Sequence, residues 1–206
     1  MTTDARRAEH RAFLNRYYGV SRSTYDATRR FYLLGRDRAL DLLLDEPWSR
    51  LVEIGPGTGR NLARLHTRRP EARYGGVDAC RAMLEVARSR CPWATLAEGF
   101  AEEADYAPLV GGPPDRVLVS YALSMMCDPA AALDRARRAL AAGGRVVVVD
   151  FGDFDTIPRL LGAGLRAWLS AFHVAPVDLA SLGAPLTGRV DGPGRYYTIA
   201  VFDATT

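Results

Sequence analysis

Leu51-Val52-Glu53-Ile54-Gly55-Pro56-Gly57-Thr58-Gly59-Arg60-Asn61 is the stretch that decides how this chain folds. A short apolar run ends in three alternating glycines, and a helical pattern then starts at Asn61, Leu62 and Leu65. This reads as strand, tight turn, helix, the arrangement that lets backbone approach a ligand closely. Three nucleotide-binding turns compete for it. A phosphate loop needs Gly-x-x-x-x-Gly-Lys-Ser/Thr with a lysine reaching the phosphates, and the chain contains no lysine. A dinucleotide fingerprint needs Gly-x-Gly-x-x-Gly; its third glycine falls on Arg60 counted from Gly55 and on Leu62 counted from Gly57. What remains is Glu-x-Gly-x-Gly-x-Gly, led by Glu53 and followed downstream by Asp78.

That pattern resembles motif I of the class I S-adenosylmethionine-dependent methyltransferases. The resemblance implies S-adenosylmethionine as cofactor and S-adenosylhomocysteine as product. Glu53 then helps fix the ligand ammonium, directly or through water, while Gly55, Gly57 and Gly59 leave the ligand room and Asn61 opens the following helix. An empty glycine-rich turn in a Rossmann-like fold is the plain alternative. Further phrases narrow the resemblance: Tyr25-Asp26-Ala27-Thr28-Arg29-Arg30-Phe31-Tyr32, Ser120-Tyr121-Ala122-Leu123-Ser124-Met125-Met126, Val149-Asp150-Phe151-Gly152 and Phe172-His173-Val174. Together they are similar to the subgroup containing the diacylglyceryl-homoserine N-methyltransferases. Pro56 departs from it, standing where many relatives have Cys.

Composition bounds the class. With 206 residues, 48% hydrophobic and 25% charged, the chain fits one globular domain with a real core. No stretch reaches the roughly 20 apolar residues of a membrane span, and the opening residues lack a signal-peptide core, so the expected location is cytoplasmic. The net charge of +3 comes from arginines interleaved with acids, which argues against a nucleic-acid partner. Cys80, Cys91 and Cys127 show no Cys-x-x-Cys spacing, so neither a metal site nor a disulfide framework is expected.

Periodicity gives the order of elements. Residues 1–48 carry aromatic and apolar residues at helical spacing and read as a helical cap or lid. Residues 49–206 read as the cofactor-binding core, one domain with the cap. Strands are expected over 74–78, 95–97, 116–121, 145–150, near 181–187 and over 196–202, with helices starting near residue 60, over 81–90, from Asp128 to Leu140, and over 157–172. Repeated strand-helix-strand units predict a doubly wound α/β sheet with its ligand at the carboxyl ends of the strands. The Rossmann-like seven-stranded order 3-2-1-4-5-7-6, with strand 7 antiparallel, is what the resemblance adds.

The remaining site residues follow from that frame. Asp78 ends the second strand, where an acid accepts ribose hydroxyls; a helix N-cap is compatible with this. The resemblance places Ala79 and Met83 along the adenine, and Gly99, Phe100 and Ala101 over its edge. Met83 and Phe100 fit a plain core equally well. Ser120 and Tyr121 end the fourth strand beside the transferable methyl, unless Tyr121 only fills the core. No Asn-Pro-Pro-Tyr or Asp-Pro-Pro-Tyr motif of base methylation is present. Tyr17, Tyr25 and Arg29 either form a lid holding a carboxylate or pack the cap. His173 either takes a proton from an acceptor ammonium or is structural.

The expected activity is in-line methyl transfer to a small acceptor, an amine of an amino-acid-like or lipid-head-group molecule, with no metal. Two rivals stay open. One is aminocarboxypropyl transfer or cyclisation releasing methylthioadenosine, and the other is a silent binding module. The helix holding Leu160, Leu161, Leu165, Trp168 and Leu169 raises membrane association, but burial against the sheet is the simpler expectation. The sequence does not fix an oligomeric state.

Overall fold

The computed structural model describes residues 32–171, 174 and 176–205. Seven strands form one sheet in the order β3-β2-β1-β4-β5-β7-β6. They are β1 (Arg50–Ile54), β2 (Arg73–Asp78), β3 (Thr95–Glu98), β4 (Arg116–Ser120), β5 (Arg145–Phe151), β6 (Gly188–Asp191) and β7 (Tyr197–Asp203). The first five run parallel, and β7 lies antiparallel between β5 and β6. Helices α1 (Arg36–Leu44), α2 (Arg60–Arg68), α3 (Arg81–Arg90), α4 (Ala107–Val110), α5 (Pro129–Ala139) and α6 (Arg159–Ser170) connect or cover them.

The period-2 alternation of side chains along the strands divides the interior into two layers. Leu51, Leu118, Val147 and Val149 face one way and pack with Leu40 and Leu43 of α1 and Leu62 and Leu65 of α2. Val52, Val117, Val146 and Val148 face the other way, against Val110 of α4 and Leu133 and Ala136 of α5. Burial on both faces accounts for the unbroken valine run of β5. It also makes α1, read in sequence as part of a helical cap on the core, a component of the core itself.

Several elements differ from the sequence reading. The strand expected near 181–187 lies at Gly188–Asp191, and Leu179–Ser181 is a 3-10 turn instead. As an edge strand β6 alternates between half-buried and exposed residues, so its position is set by pairing with β7 rather than by its own hydrophobicity. Tyr121 falls outside β4 because its backbone turns to φ 54°. Helix α6 is buried along only part of its apolar side: Leu169 is buried and Leu165 packs against the core, whereas Leu160 is 89% and Leu161 63% exposed. No helix among the described residues is long and apolar enough to cross a membrane.

The amino-terminal edge of the sheet is fastened by Asp115. Its Oδ2 accepts hydrogen bonds from the Ser49 and Arg50 amides, at 2.8 and 2.9 Å, and from the Ser49 hydroxyl at 3.1 Å. Partial burial opposes the charge, yet these donors hold the Asp115 carboxyl below its ordinary range. Buried Arg116 and half-exposed Arg145 share Glu46 alongside it. Replacing Asp115 by Ala is expected to lower unfolding stability by about 1–2 kcal/mol, a bonded carboxylate discounted for its exposure. The wild-type advantage is present above the ordinary carboxylate pKa and lost as pH falls through the depressed folded value. Denaturant titrations of both proteins at neutral and acidic pH check this, and an undiminished difference in acid would contradict it.

Candidate active site

Strands β1, β2 and β4 end at one cleft that opens to solvent. Its floor is the glycine turn between β1 and α2. Gly57 has φ 55°, a conformation that L side chains rarely adopt, and it is fixed by its amide, which donates to Asp78 Oδ2 at 3.0 Å. Gly59 (φ 76°) serves differently. It does not line the cleft; a Cβ there would stand 3.0 Å from Cys91 Sγ and 3.3 Å from Ala87 Cα. It lets the start of α2 approach α3 and so aims the helix at the cleft.

Asp78 holds two backbone segments at once, accepting from Gly57 with Oδ2 and from the Cys80 amide with Oδ1 at 2.8 Å. It supports the start of α3 without being its cap, which is Cys80. Each carboxylate oxygen keeps a further acceptor position. Burial pushes Asp78 up to about 6, against the pull of its two amide donors.

Glu53 is buried at the end of β1. Asn61 Nδ2, from the first turn of α2, donates to its Oε1 at 2.7 Å. Burial pushes Glu53 up to about 8, while the Asn61 bond and the charge of Arg36 act the other way. Four buried polar atoms of cleft-lining residues have no hydrogen-bond partner among the described residues: Glu53 Oε2, Asn61 Oδ1, Arg60 Nη1 and Ser120 Oγ. Buried polar atoms are nearly always paired in native proteins, so this concentration in one cleft marks a place where a polar ligand completes the bonding.

Ala79, Met83, Gly99, Phe100 and Ala101 line the same cleft, with Met83 also fully buried beside Cys80. Ser120 and Tyr121 form the opposite wall. Tyr121 both lines the cleft and packs in the core. Its ring packs edge-on against Phe151 at 4.7 Å, and its hydroxyl donates to the Leu34 carbonyl. Burial raises that phenol well above its ordinary range, so it is not a proton acceptor near neutrality. At the end of β5, buried Asp150 accepts from the Ser124 and Phe151 amides at 3.0 and 2.8 Å. It thereby holds the 3-10 turn Leu123–Met125 that brings Met125, Met126 and Cys127 to the cleft rim.

Tyr17, Tyr25, Arg29 and His173 lie outside the described residues. Sequence reasoning missed Leu33 and Arg36, which enter the cleft from the start of α1, and Arg60. The available signal for Arg60 was its place directly after the third glycine. No group of three or more His, Cys, Asp or Glu able to hold a metal ion occurs among the described residues.

Comparison with known proteins agrees with this geometry. The family model described as "Methyltransferase domain" matches residues 52–148. The chain is 29% identical over 180 residues to a demethylmenaquinone methyltransferase of Thermus thermophilus, covering 78% of this chain and 82% of that one. It is 30% identical over 152 residues to a trans-aconitate 2-methyltransferase of Methylobacterium radiotolerans, covering 72% of this chain and 54%, about half, of the relative. Among solved structures, an S-adenosylmethionine-dependent methyltransferase of Thermotoga maritima, titled a possible histamine N-methyltransferase, superposes with TM-score 0.67 at 18% identity over 94% of this chain and 99% of that one. An N-methyltransferase of Bradyrhizobium japonicum in complex with S-adenosylhomocysteine gives TM-score 0.62 at 20% identity, over 89% and 99%. Residues 52–148 thus match a methyltransferase-domain model, and the sheet that contains them has the fold of solved S-adenosylmethionine-dependent methyltransferases.

Proposed function

We propose that the whole chain transfers the methyl group of S-adenosylmethionine to a small acceptor, an amine of an amino-acid-like or head-group molecule, by in-line displacement. The observation that carries this reading is the cluster of unpartnered buried atoms around the glycine turn. Glu53 Oε2 and Asn61 Oδ1 are acceptors suited to an ammonium, and Arg60 Nη1 is a donor suited to a carboxylate. An amino-acid zwitterion satisfies all three. Asp78 would hold ribose hydroxyls with its remaining acceptor positions, with Met83 and Phe100 against the base. Bound there, the cofactor supplies a methyl carbon already activated by its sulfonium.

The chain's own contribution is alignment and exclusion of water, which together supply roughly 7–11 kcal/mol in well-oriented reactions. Ser120 and Tyr121 would border the path of the acceptor. Because the Tyr121 phenol is engaged with Leu34, the acceptor must arrive as a competent nucleophile, as a neutral amine does. The sequence resemblance to diacylglyceryl-homoserine N-methyltransferases supports an amine, and the relatives' names support small-molecule acceptors. Tyr17, Tyr25 and Arg29 as lid, and His173 as base, belong to the same proposal.

Incubation with S-adenosylmethionine and a metabolite extract, followed by mass spectrometry, tests the reaction. S-adenosylhomocysteine and an acceptor heavier by one methyl are expected; methylthioadenosine would replace methyl transfer with attack at another carbon on sulfur. Asp78→Ala is expected to weaken S-adenosylhomocysteine binding about 10- to 100-fold, since hydrogen bonds to a charged group carry about 1.5–3 kcal/mol. Calorimetry returning wild-type affinity would remove Asp78 from the ribose.

Glu53 gives a pH-dependent signature. A carboxyl raised to about 8 in the folded protein contributes stability that is full below its unfolded pKa and lost as pH rises through 8. Ligand-free Glu53→Gln is therefore expected to gain thermal stability relative to wild type between acidic pH and pH 8. Its affinity for S-adenosylhomocysteine should fall and lose the wild-type increase toward pH 8, because only ionised Glu53 pairs with an ammonium. Parallel melting and binding curves check both; parallel pH profiles in the two proteins would contradict it.

A further inference from the structure

We infer that the acceptor is itself an anion and that Arg36 is the residue that holds it. This rests on the methyl-transfer reading above, because it assigns the charge that the cofactor leaves over. The amino-acid end of the cofactor brings one ammonium and one carboxylate. Glu53 and Asn61 offer acceptors to the first. Arg60 offers a buried donor to the second and sits beside Asn61 at the start of α2. One guanidinium among the described cleft residues then has no cofactor group to meet.

That guanidinium, Arg36, comes from a different element. It enters from the start of α1 with Leu33, and Tyr121 and Arg60 lie within electrostatic reach. Its Nε donates to the Leu33 carbonyl at 3.2 Å, and it forms no ion pair with any described residue. The neighbouring acid, Asp37, is turned to Arg64 and, at 3.8 Å, to Arg60. Burial and the charge of Arg60 work against the Arg36 cation, and the acids within reach, Asp37 and Glu53, offset this only in part. A half-buried cation next to a second cation, without an ion-paired acid of its own, is costly for the fold alone and becomes favourable when an anion enters.

The geometry also limits which anion. With Nε occupied by Leu33, the two terminal nitrogens remain, an edge that matches paired oxygens in a carboxylate or phosphate. An acceptor gripped there on the Tyr121 side has its nucleophilic group positioned relative to its anionic group. Arg36 is thus a specificity-determining residue, discriminating against neutral amines of the same size.

The test uses the full chain as wild type, Arg36→Gln, Arg36→Lys and Arg60→Gln. Each is titrated with S-adenosylhomocysteine, then given methyl-labelled S-adenosylmethionine and a metabolite extract split by anion exchange. Label is expected in the anionic fraction, and phosphatase treatment of that fraction before labelling separates phosphate from carboxylate acceptors. Arg36→Gln should reduce labelling at limiting acceptor about 10- to 100-fold, with Lys restoring only part because an ammonium lacks the fork. Its S-adenosylhomocysteine affinity should stay within about twofold of wild type, while Arg60→Gln loses about tenfold. Two results would overturn the inference while leaving the methyl-transfer reading intact: label only in the non-anionic fraction, or a tenfold affinity loss in Arg36→Gln with Arg60→Gln unchanged. Failure of the wild type to bind S-adenosylhomocysteine, or binding without label in either fraction, would instead overturn the methyl-transfer reading.

Discussion

The hydrogen bond from the Gly57 amide to Asp78 ties the turn after β1 to the end of β2, and the shape of the cleft depends on it. Glycine makes the turn possible through its positive φ, but glycine also makes it loose. A carboxylate reaching across from the neighbouring strand removes that freedom. The same side chain holds the start of α3 through Cys80, so one residue fixes two of the cleft's walls in a common frame. Gly59 completes the arrangement from behind by allowing α2 to lie close to Cys91 and Ala87.

Half-buried Asp78 is one of three carboxyls at the carboxyl ends of strands, with fully buried Glu53 on β1 and Asp150 on β5. All three are raised by burial, to about 6 for Asp78 and Asp150 and about 8 for Glu53. The difference follows their partners. Asp78 and Asp150 each accept two backbone amides and organise loops. Glu53 accepts from the Asn61 side chain and leaves Oε2 open. A fold optimised only for stability would place an apolar residue at the end of β1, as burial without full pairing is unfavourable. Keeping an underpaired acid there is the kind of local sacrifice that accompanies ligand sites.

How much of this was legible in the sequence depends on whether the signal was local. The β1-turn-α2 unit was readable because the apolar run, the glycines and the helical period all occur within a few residues, and β2, β4, β5 and β7 followed from continuous apolar stretches. Edge strand β6 was misplaced because its residues alternate in exposure and its register is imposed by β7. Four-residue α4 is too short to show a period. Tyr121 was read as strand because nothing in its identity announces φ 54°. The apolar stripe of α6 was read as buried, since periodicity reports which residues share a face and not whether another element covers it.

Among the cleft residues, those carried by a motif were mostly found, Arg60 being the exception, and those delivered by tertiary approach were not. Glu53, Asp78 and Ser120 sit where strands end, which is a position readable from the pattern. Arg36 opens a helix, where an arginine ordinarily reads as solvated surface, and only the packing of α1 through Ala39, Leu40 and Leu43 onto the sheet face brings it to the cleft. That route has a chemical consequence. The strand-end residues belong to the sheet scaffold, whereas Arg36 is supplied by an element preceding β1. Substitutions in α1 can therefore alter the charge offered at the cleft while leaving Glu53, Asn61 and Asp78 in place, which under the proposed function separates acceptor choice from cofactor binding within a single cleft.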